Sequence, residues 1–257
     1  MPKSFRYKEG ELQVGEFRRE IFATPIFTAN CGDDEIAKLA TKLAYKFRDT
    51  SDDEEGMVSD QWNVKGKSKD RKEWDKHGVT SFYSRNLKRE KEWNPISSEL
   101  IKISRQIIRE EAYQEGLFGN RKLPYEEFAN TLFISNMWTT IYPEGAYVPM
   151  HIHSNFRWSG VFYAKAKEDC GAITFQDPAW VSKTMTQGVT PRLNPYYTSF
   201  SLKVTEGDLV IFPAWLPHRS LENKSGEDRI IVSFNMNFGE ELNDFQMLND
   251  IGDSNVG

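Results

Sequence analysis

The sequence predicts a mainly β fold, a jelly roll or small barrel in its second half, flanked by N-terminal α-helices. From about residue 131 the chain consists of short runs rich in β-branched and aromatic residues, separated by Gly, Pro, Asp and Asn. Eight such runs fall within roughly 110 residues, a density that is typical of jelly rolls and small barrels. The start, MPKSFRYKEGELQ, has no continuous apolar stretch, and no run of about 18 apolar residues is present, so neither a signal peptide nor a membrane span is expected.

The first 130 residues are predicted to form an N-terminal arm and the helices that support the core. EIFATPIFTAN (20–30) is β-prone around a proline, which is typical of an edge strand. Apolar residues recur at helical spacing over 35–48 and again over 95–116, so each stretch predicts an amphipathic helix. Asn94 and Pro95 are suitable residues for the start of the second helix.

The segment 49–78 lies between the two predicted helices and is very polar. Its acidic run, Asp52–Glu55, is followed by a basic run over 65–72. We interpret the segment as a solvated loop; a positively charged lip over a substrate site is the alternative. His77 is interpreted as a loop histidine, and GVTSFYS (78–84) is a candidate to fold over the mouth of a site.

The core is predicted over 131–240 and a polar tail over 241–257, within a single domain that spans 1–257. The eight predicted strands are TLFISNMWTTIY, AYVPMHIH, WSGVFYAKA, GAITFQD, YYTSFSLKV, DLVIFP, HRSLEN and RIIVSFNMNF. The net charge of −5 provides no general attraction for nucleic acid, so a dedicated nucleic-acid binder is not expected. Cys31 and Cys170 lie far apart in the sequence and indicate two free thiols in a reducing cytoplasm.

Three of the four histidines lie in the β-rich half of the chain. His151 and His153 are two residues apart on a predicted strand, so their side chains point to the same face. His218 follows FPAWLP, 65 residues after His153. A single strand histidine is usually structural, but an aligned pair with a remote third predicts a metal site, because imidazoles without a metal would need other polar partners. Imidazole binds iron, copper, nickel and zinc alike, so the ligand type does not choose the metal.

Arg229 opens the apolar strand RIIVSFNMNF, 11 residues after His218. A cation at an inward position of a strand is costly without an anionic partner. The planar guanidinium can hold a carboxylate through two parallel hydrogen bonds. A salt bridge within the protein is one interpretation; beside a metal site, the carboxylate of a chelating keto acid is the other.

Four blocks of the sequence, HIHSNFRWSGVFYAKA, GAITFQDP, GDLVIFPAWLPHRSLEN and RIIVSFNMNF, resemble the 2-oxoglutarate- and iron(II)-dependent oxygenase superfamily. More narrowly, they are similar to a bacterial and phage branch of 2OG-Fe(II) oxygenases with an HxH…H…R pattern. The resemblance covers about 130–238, with a weaker likeness in EIFATPIF. It implies a double-stranded β-helix, and an enzyme whose cofactors are iron(II) and 2-oxoglutarate and whose other co-substrate is dioxygen.

The resemblance also implies roles for individual residues. The implied metal ligands and the implied anchor for the far carboxylate of 2-oxoglutarate are His151, His153, His218 and Arg229. The implied helpers of co-substrate binding are Asn136, Tyr142 and Ser233. His153 stands where the superfamily usually has Asp or Glu, so the usual two histidines and one carboxylate become three imidazoles. Asp177 is the nearest carboxylate that could take this place, although an Asp in a turn usually caps the backbone.

The implied reaction couples decarboxylation of 2-oxoglutarate to succinate with oxidation of a bound C–H group, most simply a hydroxylation. Aromatic candidates for the cavity lining are Phe156, Trp158, Phe162, Tyr163 and Trp215, with barrel packing as the default interpretation of Trp215. One alternative is a cupin-like dioxygenase with three histidines and no 2-oxoglutarate, which has no need for Arg229. Another is a non-enzymatic jelly-roll binding module. The primary substrate is not predicted, and a homodimer is compatible with the sequence.

Overall fold

A computed structural model of the chain describes residues 24–31, 34–50, 78–82, 84–114, 129–180 and 198–239. The predicted N-terminal arm, almost all of the charged segment together with His77, and the polar tail lie outside the described residues. The helices are α1 (Asp34–Thr50) and α2 (Asn94–Gln114). The strands are β1 (Phe27–Asn30), β2 (Val79–Thr80), β3 (Leu132–Tyr142), β4 (Val148–His151), β5 (Trp158–Lys165), β6 (Ile173–Gln176), β7 (Ser199–Leu202), β8 (Asp208–Pro213), β9 (His218–Ser220) and β10 (Arg229–Phe238).

The strands form two sheets in which every pair is antiparallel. The larger sheet has the order β1-β8-β5-β10-β3-β2, and the smaller sheet has the order β4-β9-β6-β7. Successive strands of the core pass between the sheets, so β3, β5, β8 and β10 pair in one while β4, β6, β7 and β9 pair in the other. This interleaving is that of a jelly roll, and it confirms the predicted double-stranded β-helix. The eight predicted core strands correspond to β3–β10.

The two helices cover the outer face of the larger sheet. Both begin and end close to the predicted bounds, and α2 starts at Asn94 as expected. Ala37, Ala40 and Leu43 of α1 are buried in one cluster with Phe162 and Val232 of the larger sheet. No helix among the described residues is long and apolar enough to cross a lipid bilayer. Because the helices occupy the outer face, the inner face is left for the smaller sheet and for any site between the sheets.

The inner face of the larger sheet carries polar side chains along its central strand. β10 lies between β3 and β5, and it is buried from Arg229 to Met236. Asn235 pairs with Asn136 on one side and with Ser159 on the other. A β-bulge adjoins this row, because the next pair of the ladder joins Met236 to Ile134 and skips one residue of β3. Buried polar groups require partners, so this face is where a bound group is expected.

Candidate metal centre and anion pocket

The three core histidines come together where the smaller sheet meets the larger one. His151 ends β4 and His218 begins β9, and the two residues are direct neighbours in the antiparallel ladder. His153 lies two residues beyond β4, where its backbone N–H donates to Ala214 O at 2.9 Å. One potential ligand atom from each ring lies within 4.8 Å of the other two. The ladder therefore explains how a residue far along the chain joins the HxH pair.

No carboxylate takes part in this cluster. Among the described residues, one group of His, Cys, Asp or Glu side chains lies close enough together to share a metal ion. Its members are these three histidines. Asp177 Oδ1 instead accepts from the backbone N–H of Ala179 at 2.8 Å, which is the capping role expected of an Asp in a turn. The structure thus brings His153, and not Asp177, to the other two imidazoles.

Hydrogen bonds fix which nitrogen of each imidazole carries the proton. Nδ1 of His151 lies 2.9 Å from Pro149 O, and Nδ1 of His218 lies 2.9 Å from Leu216 O. Nδ1 of His153 lies 2.6 Å from Asn235 Oδ1. Each of these partners is an acceptor, so each Nδ1 must donate. In a neutral imidazole, Nε2 then carries a lone pair and no proton.

Burial keeps all three imidazoles neutral. It lowers the pKa of His151, and it lowers the pKa of His153 to about 4, with the neighbouring His151 adding to the effect. Burial also holds the pKa of His218 well below its ordinary value. Nε2 of His151 and Nε2 of His153 are nevertheless only 3.1 Å apart. Two lone pairs at this distance repel each other unless a cation lies between them.

The arrangement fits a metal ion. Two nitrogen ligands at right angles, each about 2.1 to 2.2 Å from one metal, lie about 3 Å apart. The separation of 3.1 Å between the two Nε2 atoms agrees with this value. Hydrogen bonds from the opposite ring nitrogens to protein acceptors are also what metal-binding histidines usually make. The residues present therefore suit a divalent cation held by three neutral ligands.

Arg229 is buried in a second polar pocket at the far end of β10. Its side chain is only 1% exposed. Nη1 donates to Cys170 O and, at 3.0 Å, to Leu221 O, while Nη2 donates to Ser220 Oγ at 2.9 Å. Gly171 has φ +90° and closes on the guanidinium so tightly that an added Cβ would lie 2.7 Å from Nη1. The guanidinium is thus held firmly at one end.

The other edge of this guanidinium is unsatisfied. Arg229 Nε is buried and has no hydrogen-bond partner. Nη2 uses only one of its two protons, so Nε–H and Nη2–H form an open fork. No Asp or Glu among the described residues forms an ion pair with Arg229, so the salt bridge considered from the sequence is absent there. A buried cation without an anion is costly, and the geometry therefore fits a bound carboxylate.

Ser220 links this pocket to the histidines. It lies two residues after His218 on β9, so the two side chains share the inner face and their Cα atoms are about 6 to 7 Å apart. Ser220 Oγ accepts a hydrogen bond from Arg229. The guanidinium therefore contacts the strand two residues after the metal-site residue His218.

The three predicted helper residues all face the interior between the sheets. Tyr142 is paired with Arg229 across β3 and β10, and the guanidinium carbon lies 4.3 Å above the centre of its ring. Burial raises the pKa of Tyr142. Ser233 is 4% exposed and lies on the same face as Arg229 and Asn235. Asn136 neighbours Asn235, and its buried Oδ1 has no hydrogen-bond partner.

Part of the expected aromatic lining is wrong. Phe162 and Trp158 point to the outer face of β5, where Phe162 is packed beneath the helices and Trp158 lies 5.6 Å from the ring of Phe27. Trp215 is 52% exposed, so it is not a barrel-packing residue. Tyr163, by contrast, belongs to the buried cluster between the sheets, as expected.

Four residues near the histidines were not predicted. Asn235 and Ser159 contact His153 through hydrogen bonds. The ring of Trp138 lies 5.6 Å from that of His153, and Phe82 packs edge-on against Trp138 at 4.9 Å. Phe82 belongs to GVTSFYS, so this contact supports the expectation that the segment borders the site. The alternation of β5 was the usable signal for Ser159, because it places Ser159 and Tyr163 on one face and Phe162 on the other.

Comparison with known sequences agrees with the geometry. Residues 136–235 match the family described as "Putative 2OG-Fe(II) oxygenase". The matched residues span the jelly-roll core from β3 to β10, which is less than half of the chain. The match confirms the resemblance drawn from the sequence, and it includes all three histidines and Arg229. A match to this family points to an enzyme that depends on iron(II) and 2-oxoglutarate, the two cofactors that its description names. No protein with a curated function matches the chain.

One solved structure shows a similar fold, and two more resemble the chain with lower TM-scores. The oxygenase domain and its flanking helices are similar to AviO1 from Streptomyces viridochromogenes Tue57, with a TM-score of 0.53 and 13% identity over 86% of this chain and 92% of that one. The epimerase SnoN from nogalamycin biosynthesis, described as non-heme and alpha-ketoglutarate-dependent, has a TM-score of 0.49 and 9% identity over 84% and 78%. A prolyl-4-hydroxylase of Pseudomonas putida has a TM-score of 0.47 and 13% identity over 85% and 94%.

Proposed function

We propose that this oxygenase hydroxylates a C–H group of its primary substrate, in a reaction that depends on iron(II) and 2-oxoglutarate. The proposed iron ligands are His151, His153 and His218, each through Nε2. Arg229 is proposed to bind the far carboxylate of 2-oxoglutarate. The observation that carries this proposal is the open fork of Arg229, a buried cation that has no carboxylate partner among the described residues and lies next to the histidine cluster.

The residues of the chain have distinct tasks in this proposal. The histidines would hold the metal from one side and leave its remaining positions to the co-substrates. When bound, iron(II) and 2-oxoglutarate supply the chemistry that couples decarboxylation to oxidation of a C–H bond. Arg229 fixes the keto acid at its far end, and Tyr142 keeps the guanidinium plane in place by stacking on it. Trp138 packs beside His153, and Phe82 packs against the ring of Trp138, so Trp138 would shield the histidines from water on that side.

Two further residues are proposed to bind the co-substrate. Ser233 lies on the same face of β10 as Arg229 and Asn235, so its hydroxyl is available to a molecule between them. Asn136 offers a buried carbonyl oxygen without a partner, which suits a donor on a bound molecule. Neither side chain is needed to hold the sheets together, because the backbone groups of the strands form the ladder hydrogen bonds.

The two alternatives make different demands on the structure. A cupin-like dioxygenase with three histidines requires no anion at Arg229, and it leaves the cost of this buried cation unexplained. A non-enzymatic module requires no cation between the Nε2 atoms of His151 and His153, and it leaves their close approach unexplained. We also propose a cytoplasmic location, since Cys31 and Cys170 are both free thiols.

The proposal can be tested without a primary substrate. Under anaerobic conditions, iron(II) is added to the metal-free protein and 2-oxoglutarate is then titrated while the visible spectrum is recorded. Wild-type protein is expected to develop a metal-to-ligand charge-transfer band. Arg229→Ala should weaken 2-oxoglutarate binding by about 2 kcal/mol or more, because it removes one member of a buried charge pair. This corresponds to roughly 30-fold or more in the dissociation constant.

Arg219→Ala is the matched control. Arg219 is the exposed residue immediately before Ser220 on β9, and its side chain points away from the interior. This variant should bind 2-oxoglutarate as wild type does. Iron binding without a band in the wild-type protein would contradict the proposal in favour of the cupin-like alternative. Absence of iron binding would favour the non-enzymatic module.

A further inference from the structure

We infer that Asn235, assisted by Ser159, is a positioning residue that fixes the orientation and the tautomer of His153, and that it sets the charge of the third metal ligand. This inference rests on the proposed function. It concerns how one imidazole takes the place that is usually occupied by a carboxylate.

Two of the imidazoles are oriented by their own strands. Nδ1 of His151 bonds the carbonyl of Pro149, and Nδ1 of His218 bonds the carbonyl of Leu216. In both cases the acceptor is the backbone two residues earlier. These interactions depend only on local backbone geometry, so no other side chain is needed to aim Nε2 of His151 or of His218 at the metal.

His153 is oriented differently. Its Nδ1 lies 2.6 Å from Asn235 Oδ1, 82 residues away on β10, and 2.8 Å from Ser159 Oγ on β5. Ser159 Oγ in turn donates to Asn235 Oδ1 at 2.7 Å. Asn235 is 2% exposed and Ser159 is fully buried, so water does not compete for these bonds. Side chains of the larger sheet therefore hold an imidazole that extends from the edge of the smaller sheet.

The amide of Asn235 decides which nitrogen of His153 can bind a metal. With Oδ1 towards the ring, Nδ1 must carry the proton and Nε2 has its lone pair free. With the amide reversed, its NH₂ group would donate to Nδ1, and the ring proton would move to Nε2, where it would prevent metal binding. Ser159 stabilises the productive orientation, because its hydroxyl donates to the same Oδ1.

Residue 235 also controls the charge that His153 brings to the metal. An amide oxygen accepts the Nδ1 proton without drawing it away, so His153 remains a neutral ligand. A carboxylate at position 235 has the same shape, accepts from the same two donors, and transfers negative character through the ring to the metal, as in carboxylate–histidine–metal triads. Asn235→Asp should therefore restore part of the charge that the missing acidic ligand would provide.

The experiment compares three substitutions on β10 in the full-length protein. Asn235→Ala, Asn235→Asp and Asn237→Ala are each titrated with iron(II) after metal removal, and the iron(III)/iron(II) midpoint potential is measured. Asn237 is the control, because it is the same residue type two positions further along and bonds Arg157 and Asn155 instead of a histidine. Asn235→Ala should weaken iron(II) binding about 10- to 100-fold, as is typical when such a partner of a ligand is removed.

The other two variants separate positioning from general stability. Asn235→Asp should bind iron(II) at least as tightly as wild type and should have a more negative midpoint potential, because negative charge favours iron(III). Asn237→Ala should match wild type in both measurements. If Asn235→Ala does not fold, Ser159→Ala replaces it and is expected to show a smaller loss of affinity.

Two results would overturn the inference. One is a folded Asn235→Ala, or Ser159→Ala, protein with the iron(II) affinity of wild type. The other is an unchanged midpoint potential in Asn235→Asp. Either result would leave the proposed function intact if the wild-type protein binds iron(II). Failure of the wild-type protein itself to bind iron(II) would instead remove the proposed function.

Discussion

The two ends of the barrel interior have opposite electrostatic requirements. At one end, His151, His153 and His218 direct neutral acceptors towards one point, and only a cation satisfies them. At the other end, the buried Nε–H of Arg229 has no acceptor among the described residues, and a bound anion would both accept from it and balance its charge. Ser220 connects the two ends, because it follows His218 by one pair of residues and bonds the guanidinium. A bound molecule that chelates a metal and ends in a carboxylate meets both requirements.

The end of the barrel interior that holds Arg229 is the stronger indicator of function. Burial favours the uncharged form of the imidazoles, so the histidines carry no buried charge that needs an anion, although the close approach of two Nε2 atoms still calls for a cation. A buried guanidinium cannot lose its proton in the same way, so Arg229 must be compensated by something else. Histidine clusters are compatible with several metals and reactions, whereas a buried Arg229 with no ion pair among the described residues is the observation that favours an anionic co-substrate.

The largest expected effect is a loss of iron(II) binding at the histidine end of the barrel interior. His218→Ala removes the most buried of the three ligands and should abolish stoichiometric iron(II) binding, as measured by metal analysis after anaerobic loading. His77→Ala, which changes the one histidine that precedes residue 131 in the sequence, should bind iron(II) as wild type does. Equal iron content in wild type and His218→Ala would contradict the expectation that the histidine end of the barrel interior binds the metal.

An intermediate effect separates the two ends in one assay. Metal at 100 times its dissociation constant should stabilise the wild-type fold by about 2.7 kcal/mol. For a domain of this size, this corresponds to a rise in Tm of roughly 5 to 10 °C. Adding 2-oxoglutarate to the metal-loaded protein should raise Tm further. Arg229→Lys should keep the first rise and lose most of the second, since an ammonium has no planar fork.

His218→Ala should lose both rises in Tm. Binding of 2-oxoglutarate then depends on the metal, because the keto acid chelates it, whereas binding of the metal does not require Arg229. A rise with 2-oxoglutarate in metal-free protein that equals the rise in the loaded protein would show that the anion pocket works without the metal, contrary to this expectation.

The smallest effect is expected between the two ends. Ser233→Ala should weaken 2-oxoglutarate binding by about 1 kcal/mol, the usual contribution of one hydrogen bond. This is roughly a 5-fold change in the dissociation constant, readable from the same spectroscopic titration. Ser98→Ala, on the exposed side of α2, is the control and should have no effect. An unchanged affinity in Ser233→Ala would mean that the bound molecule does not contact this hydroxyl.

Much of the fold was predictable because local patterns agree with it. Helical spacing of apolar residues located α1 and α2, and β-rich runs located all eight core strands. The aromatic lining was less predictable. Trp158 and Phe162 looked like candidates from composition alone, but the alternation of β5 turns both towards the helices. Trp215 was expected inside the barrel and is exposed, because its turn after β8 leaves the sheet.

The partners of His153 were not predictable by the same means. Asn235 appears in the sequence as an ordinary polar residue of an apolar strand. The alternation of β5 places Ser159 on the inner face with Tyr163, but it does not mark Ser159 as a neighbour of a histidine. They meet because β5 and β10 pair directly and His153 reaches across from the other sheet. Sequence separation carries no information about such a contact when three different strands must first be assembled.

The sequence by itself determined the strands, the helices and the residue types available for chemistry, because periodicity and side-chain chemistry are local properties. The pairing of β4 with β9 brought His218 to His151, and the closure of the two sheets buried Arg229 with its Nε–H lacking an acceptor among the described residues. These features depend on which distant segments share a ladder and on what burial removes from water. Only the tertiary structure decides them, since the cost of an unmet charge exists only once the surrounding groups are in place.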